Sequence, residues 1–380
     1  MPFRISVCLA FIAASIASAC TYCDPSNLKI QSYRQEARTS KLVVIGYLNN
    51  ARLVGDMGFT DLVIEQVVKD DGVLEKRKTV TLPRWTLVDP KKPPRMMVFC
   101  DQYEGKLDPF RGVSLRGDKM ADYLAGALKL KDTDRIASLL YYFKHLDSPD
   151  PEVAADAFLE FAKATDQEVG AVGSKLDAGK LRKLMDDPKT PVDRIGLFAF
   201  LLGACGTKSD ADLLASMLDK SDERMAPAVS GILGGLIEIR PEAGWKRAIE
   251  MLQDPKRPYQ DKLSILGTLR FFQAYKPDTY RKPILAGMAA VVARGDMADM
   301  AIEDLRRWKQ WDLTKLILDQ YGKSTHAAPL VRNSIVRYAL CAPDADAAAF
   351  IKKVRAADAE SVADIERSLE FEKPTPPKKP

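Results

Sequence analysis

The apolar residues of this chain change their period once, near residue 118, and that switch constrains the fold more than any motif does. Before it they gather in short runs rich in β-branched and aromatic residues: 41–48 (KLVVIGYL), 59–68 (FTDLVIEQVV), 78–85 (KTVTLPRW) and 95–100 (RMMVFC). Runs of this kind form strands. Turn material stands between them at Asn49-Asn50, Gly55-Asp56, Asp70-Asp71-Gly72, and from Asp89-Pro90 to Pro93-Pro94. Four or five short strands in roughly 75 residues predict a small closed or half-closed β barrel. Residues 31–38 ahead of them predict a short helix.

From residue 119 to about 371 the period is helical. Tyr123, Ala127 and Leu130 open the pattern, and Ile136, Leu139, Leu140 and Phe143 continue it at spacings of three and four. Ser148-Pro149-Asp150-Pro151, Thr190-Pro191-Val192-Asp193 and Arg240-Pro241-Glu242 read as helix starts, with Pro early in the helix beside a capping or acidic residue. Gly206, Gly295 and Gly322 stand where helices should stop. Helix-pair units begin near Asp147, Asp186, Lys220, Asp254, Gly295 and Ser324, at spacings of 39, 34, 34, 41 and 29 residues. The unit 328–340 (APLVRNSIVRYAL), followed by a second helix from Ala345, resembles a HEAT repeat, and 150–158 (DPEVAADAF) has the same shape. That resemblance implies an α-solenoid of stacked helix pairs over a continuous core.

The fold expected is therefore α+β: a small β barrel at residues 20–117, then an all-α HEAT-like array at 118–371. A low-complexity, disordered tail is expected at 372–380, carrying Pro374–Pro380 (PTPPKKP).

Residues 1–19 read as a secretory signal peptide: Arg4, an apolar run from Ile5 to Ile16, and Ala17-Ser18-Ala19 before Cys20. The run is too short for a membrane span, which takes about 20 apolar residues. The mature protein is thus expected to be exported: periplasmic, envelope-associated or extracellular. Ala17-Ser18-Ala19-Cys20 fits ordinary cleavage and also resembles a bacterial lipobox, with Ala17 where a lipobox carries Leu. A lipid anchor at Cys20 and a free mature N-terminus both stand open, and the anchor is the one membrane attachment expected.

Beyond the leader the cysteines are Cys20, Cys23, Cys100, Cys205 and Cys341, an odd number, so at least one thiol is unpaired or modified. Cys20-Thr21-Tyr22-Cys23 is a C-x-x-C followed by Asp24, which excludes haem attachment. A staple from Cys23 or Cys20 to Cys100, at the end of the strand 95–100, would tie the N-terminus to the sheet and stabilise by about 2–4 kcal/mol. Cys205 and Cys341 lie in apolar helical stretches and are expected as buried free thiols. An N-terminal cysteine pair, a strand such as 42–47 and a later cysteine together resemble the OB-like domain of the netrin and metalloprotease-inhibitor class. Those inhibitors carry C-x-C where this chain has Cys20-Thr21-Tyr22-Cys23. The resemblance implies that an unacylated N-terminal Cys20 would chelate a protease zinc.

Lys plus Arg number 57 against 52 Asp plus Glu, a net charge of +5. Residues 20–118 hold 16 basic and 13 acidic side chains, so positive charge is not concentrated as nucleic-acid binding requires. His145 and His326 are the only histidines, which removes most His-ligated metal sites and catalytic triads. His145 reads as a last-turn helix residue and His326 as an exposed loop residue. Gly322-Lys323-Ser324 lacks the first glycine of a phosphate-binding loop, since Ile317 stands there. Asp210 and Asp344 suit helix N-termini better than calcium loops. Neither a catalytic centre nor a metal or cofactor is expected. The surface candidates for a contact are Arg306, Arg307 and Trp311, because Arg and Trp dominate interface hot spots. Trp308 joins the apolar stripe of Met297, Ala301 and Leu305 instead. The function expected is a non-catalytic exported scaffold or adaptor that binds a protein partner through the helical surface. The alternatives are a protease-inhibitor-like β domain acting through Cys20 and a thiol-redox protein using Cys20 and Cys23. The whole build resembles exported bacterial proteins of this kind, a likeness that implies no activity.

Overall fold

A computed structural model describes residues 31–219 and 225–372. The expected signal peptide, Cys20, Cys23 and nearly all of the expected tail lie outside the described residues. Five strands and seventeen helices are described, and helix far outweighs strand. Of the described residues, those up to Ser138, with Ser148–Val169, form one compact unit; Leu139–Asp147 and those from Gly170 onward form a second.

The first unit holds α1 (Tyr33–Thr39), β1 (Leu42–Val54), β2 (Met57–Asp70), β3 (Thr79–Leu82), β4 (Arg95–Tyr103), β5 (Lys106–Leu115) and α2 (Met120–Leu128). The strands form one antiparallel sheet in the order β3-β2-β1-β4-β5. The expected barrel is corrected: the sheet is open, with β3 and β5 as its edges. β3 is four residues long and runs into Pro83, which cannot donate to a ladder, so it offers too little edge to close against β5. β1 is central and buried on both faces over Leu42–Ile45, which explains a continuous apolar run without alternation. One face carries Leu42, Val44, Leu62, Val80, Val98 and Cys100, packed with Val73 and Leu74 of the loop after β2. Phe99 points to the other face, where the ring of Tyr33 in α1 lies 6.3 Å away.

Asn49-Asn50, expected as a turn, lies inside β1. The register slips between Asn49 and Arg52, and Asn50 takes a left-handed φ of 50°, which Asn tolerates, so the turn signal is used as a bulge. The turn itself is at Gly55-Asp56, with Gly55 at φ 60°. β5 was not distinguished by hydrophobicity. Pro109 interrupts it, most of it is exposed, and Glu104 and Gly105, both with positive φ, make the tight turn before it.

Helices follow as α3 (Arg135–Phe143), α4 (Pro151–Ala162), α5 (Asp166–Gly173), α6 (Ala178–Asp186), α7 (Val192–Cys205), α8 (Lys208–Asp219), α9 (Ala226–Ile239) and α10 (Pro241–Gln253). After them come α11 (Tyr259–Tyr275), α12 (Pro277–Arg294), α13 (Ala298–Arg307), α14 (Thr314–Leu318), α15 (Pro329–Cys341), α16 (Ala345–Ala357) and α17 (Ala359–Phe371). Of the expected unit starts, 147, 254 and 295 fall between helices, Asp186 is the last residue of α6, and Ser324 opens a short 3-10 turn between α14 and α15; 220 lies outside the described residues. Asp150 caps α4, its carboxylate accepting from the Glu152 amide, and Pro follows at the first helical position of α4 and α10.

In the second unit the helices stack in two layers. α7 packs on α9 and α9 on α11, α13 on α15 and α15 on α17, while α10, α12, α14 and α16 follow one another in the other layer. The α7–α9 contact is made by small residues. A methyl group on Gly231 would overlap the Gly196 carbonyl, and one on Gly235 would overlap that of Ala199. Ion pairs bridge neighbouring units: Arg182–Asp210, Arg240–Asp212, Arg270–Asp304, Lys276–Glu238 and Arg337–Glu303, separated by 28, 28, 34, 38 and 34 residues. No helix among the described residues is long and apolar enough to cross a membrane.

Candidate functional site

Three buried acids of the first unit sit where sequence reasoning found nothing. Glu36 on α1, and Asp156 and Glu160 on α4, are 5%, 4% and 3% exposed. Asp156 and Glu160 are one turn apart on the same face of α4 as Val153 and Ala157, and acids on an apolar stripe were the readable signal. Asp156 accepts from the Tyr33 amide at 2.8 Å and from the Tyr123 hydroxyl at 2.6 Å. Burial raises its carboxyl to about 6, against those two hydrogen bonds, which favour the charged form. Glu160 accepts from the Ser32 hydroxyl at 2.5 Å, and Glu36 pairs with Arg111 at 2.9 Å. Burial is also the main reason the Glu36 carboxyl is raised, with Arg111 opposing it. Asp156 and Glu160 anchor the start of α1 on α4, and Glu36 ties α1 to Arg111 of β5.

Among the described residues, Cys100, Cys205 and Cys341 form no disulfide with one another. Cys100 lies within β4, which runs three residues past it, and it is fully buried in the sheet core; burial pushes its thiol up to about 12. The expectation of two buried helical thiols is corrected. Cys205 is half-buried near the end of α7, its thiol facing the Leu201 carbonyl at 3.3 Å and raised to about 11 by burial. Cys341 is the last residue of α15 and is exposed. An apolar stretch surrounds each in sequence, but a helix end turns its last residues away from the core.

His326 also departs from expectation. It is fully buried in a short 3-10 turn, Ser324–His326, where Nε2 donates to the Val292 carbonyl at 2.7 Å and Nδ1 accepts from Thr325 Oγ1 at 2.8 Å. Both nitrogens are spent on holding that turn against the end of α12. Gly295, at φ 90°, leaves the space, since a side chain there would strike the Thr325 carbonyl. His145 follows α3, its ring tilted 52° against that of Tyr141 at 4.8 Å, and has its imidazole shifted down by burial and by Lys180. Asp210 and Asp344 serve helix N-termini as expected. Asp210 accepts from the Thr207 amide at 2.6 Å and pairs with Arg182, which holds its carboxyl at about 2; Asp344 accepts from the Ala347 amide at 2.9 Å.

The three contact candidates meet different fates. Arg306 is 9% exposed and locked between Glu303 at 2.7 Å and Glu372 at 2.8 Å, both of which also bind Arg337. Its guanidinium is raised by those carboxylates against burial, which acts the other way. Arg307 is exposed, and Trp311 is half-buried with its ring edge-on to Tyr338 at 5.1 Å. Trp308, placed in the core by its spacing, is half-buried just beyond α13.

Concave surface in the second unit lies elsewhere. An open groove of about 620 Å³ runs between α15 and α16, floored by Ala339, Leu340, Ala348 and Ile351, with Lys352 and Arg355 at its rim. A second, of about 410 Å³, lies between α6 and α8, where Met185, Met217 and the exposed Leu213 meet Arg182 and Lys183. Both have an apolar floor; Arg355 is bound to Glu366 and Arg182 to Asp210, and Asp186 joins the lining of the second groove. Among the described residues no group of three or more His, Cys, Asp or Glu is placed to hold a metal ion.

The chain is thus an α+β protein with an open antiparallel sheet and a two-layer helical array. No protein-family model matches it, and no curated protein matches it.

Proposed function

We propose that the protein is an exported, non-catalytic scaffold whose HEAT-like array holds a protein partner. The observation that carries this reading is the α15–α16 groove, whose apolar floor beside the rim Lys352 suits a segment with apolar side chains next to an acid. The α6–α8 groove sets Lys183 and Asp186 beside apolar side chains, and its methionines adapt to varied apolar shapes. Stacked helix pairs present such grooves as a series along one surface, which is how repeat arrays bind extended partners.

The test compares the wild type with Ala348→Arg/Lys352→Glu, which fills and recharges the groove at two exposed positions. Crosslinking in envelope extract, read by quantitative mass spectrometry, should recover a partner that the double variant loses at least tenfold. Recovery of that partner undiminished by the variant rejects the groove. Failure of the wild type to recover any partner rejects the scaffold.

A further inference from the structure

The end of the β1–β2 hairpin carries an exposed apolar cluster that neither the sheet core nor the scaffold reading uses. Leu53, Val54 and Met57 are 70%, 57% and 64% exposed, and Trp85 beside them is 51% exposed. Their placement follows from register. Val54 pairs with Met57 and Leu53 with Gly58, so Val54 and Met57 share one face of the ribbon while Leu53 points to the other. Trp85 lies over Gly58, where a side chain would collide with it, and so joins the Leu53 face. The tip is therefore apolar on both faces at once.

A flat protein surface covers one face of a two-stranded ribbon and leaves the other wet. A medium that surrounds the tip removes both from water. The charges near it in sequence lean positive: Arg84, Lys91 and Lys92 stand against Asp56 and Asp89, while Arg52 is held by Asp61 at 2.8 Å. Tryptophan with aliphatic side chains and neighbouring basic residues is the composition favoured at a membrane–water boundary. We infer that the β1–β2 tip inserts into the interfacial region of an anionic phospholipid bilayer, independently of any acyl group at Cys20.

The probe is a vesicle of phosphatidylcholine with one-fifth phosphatidylglycerol. The protein is the chain from residue 20 onward carrying Cys20→Ser, so that neither an acyl chain nor the apolar run 5–16 holds it to lipid; every described residue is retained. In flotation the protein should rise with the vesicles, and Leu53→Ser/Met57→Ser should lower the bound fraction at least tenfold. Leu330→Ser, a change at an exposed leucine on α15, should leave binding within twofold. Brominated acyl chains should quench part of the tryptophan emission, and that part should vanish in Trp85→Phe. Thermal unfolding within a few degrees of wild type confirms that the tip variants are folded. A wild type that stays with the lipid-free fraction, or a double variant that floats equally well, overturns the inference. So does self-association in solution that is lost with the tip variants while flotation is unchanged.

Discussion

Asp156 holds its carboxylate where two donors reach it and almost no water does. Its folded value of about 6 lies above the ordinary value near 3.9, so the folded protein binds a proton more tightly than the unfolded chain does. Stability contributed by the neutral form is complete below about pH 4 and is lost as pH rises through about 6, by up to roughly 3 kcal/mol. Urea unfolding between pH 4 and 7 should show that decline, and Asp156→Asn should flatten it. Asp156→Ala should instead lower stability throughout, because the Tyr33 amide and Tyr123 hydroxyl would be left unpaired at about 1–3 kcal/mol each. The thiols give a second residue-level expectation. Iodoacetamide should label Cys341 first, Cys205 slowly and Cys100 only on unfolding, following exposure and the raised thiols. Cys100 that resists labelling in denaturant until a reductant is added would establish the staple to Cys23 or Cys20. Labelling without reductant would exclude it.

The α7–α9 seam shows how one element depends on what it lacks. Gly196, Gly203, Gly231 and Gly235 each face the backbone or Cβ-free surface of the partner helix, and the helices meet closely along their length. Gly231→Ala improves helix propensity by about 1 kcal/mol in isolation, yet here it drives a methyl into the Gly196 carbonyl. The net result should be destabilisation by at least about 2 kcal/mol, read as a lower urea midpoint for the second unit. A neutral or stabilising outcome would mean that the helices separate without penalty. The same elements show what was legible in the sequence. Helix starts at Pro151 and Pro241 were readable because a proline and its neighbouring acid act within one turn. The unit starts at 147, 254 and 295 were readable because loops interrupt the helical period. The open sheet was not: whether β3 meets β5 depends on the length of an edge strand, and the composition of residues 78–85 does not reveal that only four of them pair. His326 was misread because its burial comes from contacts with α12, distant in sequence. The grooves were invisible for the same reason, since they arise from how helices sit side by side.

At the scale of the whole molecule, Glu372 is the last described residue, and it joins α13 to α15 through Arg306 and Arg337. Each of those arginines also binds Glu303, so four side chains close one network at the end of the array. An exposed ion pair contributes little alone, but Arg306 and Arg337 are 9% and 16% exposed, and stripping them of a carboxylate leaves charge with poor access to water. Where the coding sequence is cut therefore matters. A stop after Phe371 should lower the melting temperature by several degrees, as should Glu372→Gln in the full chain. A reporter protein attached beyond Pro380 would leave the network untouched, while one spliced in before Glu372 would report on a damaged array rather than on the protein itself.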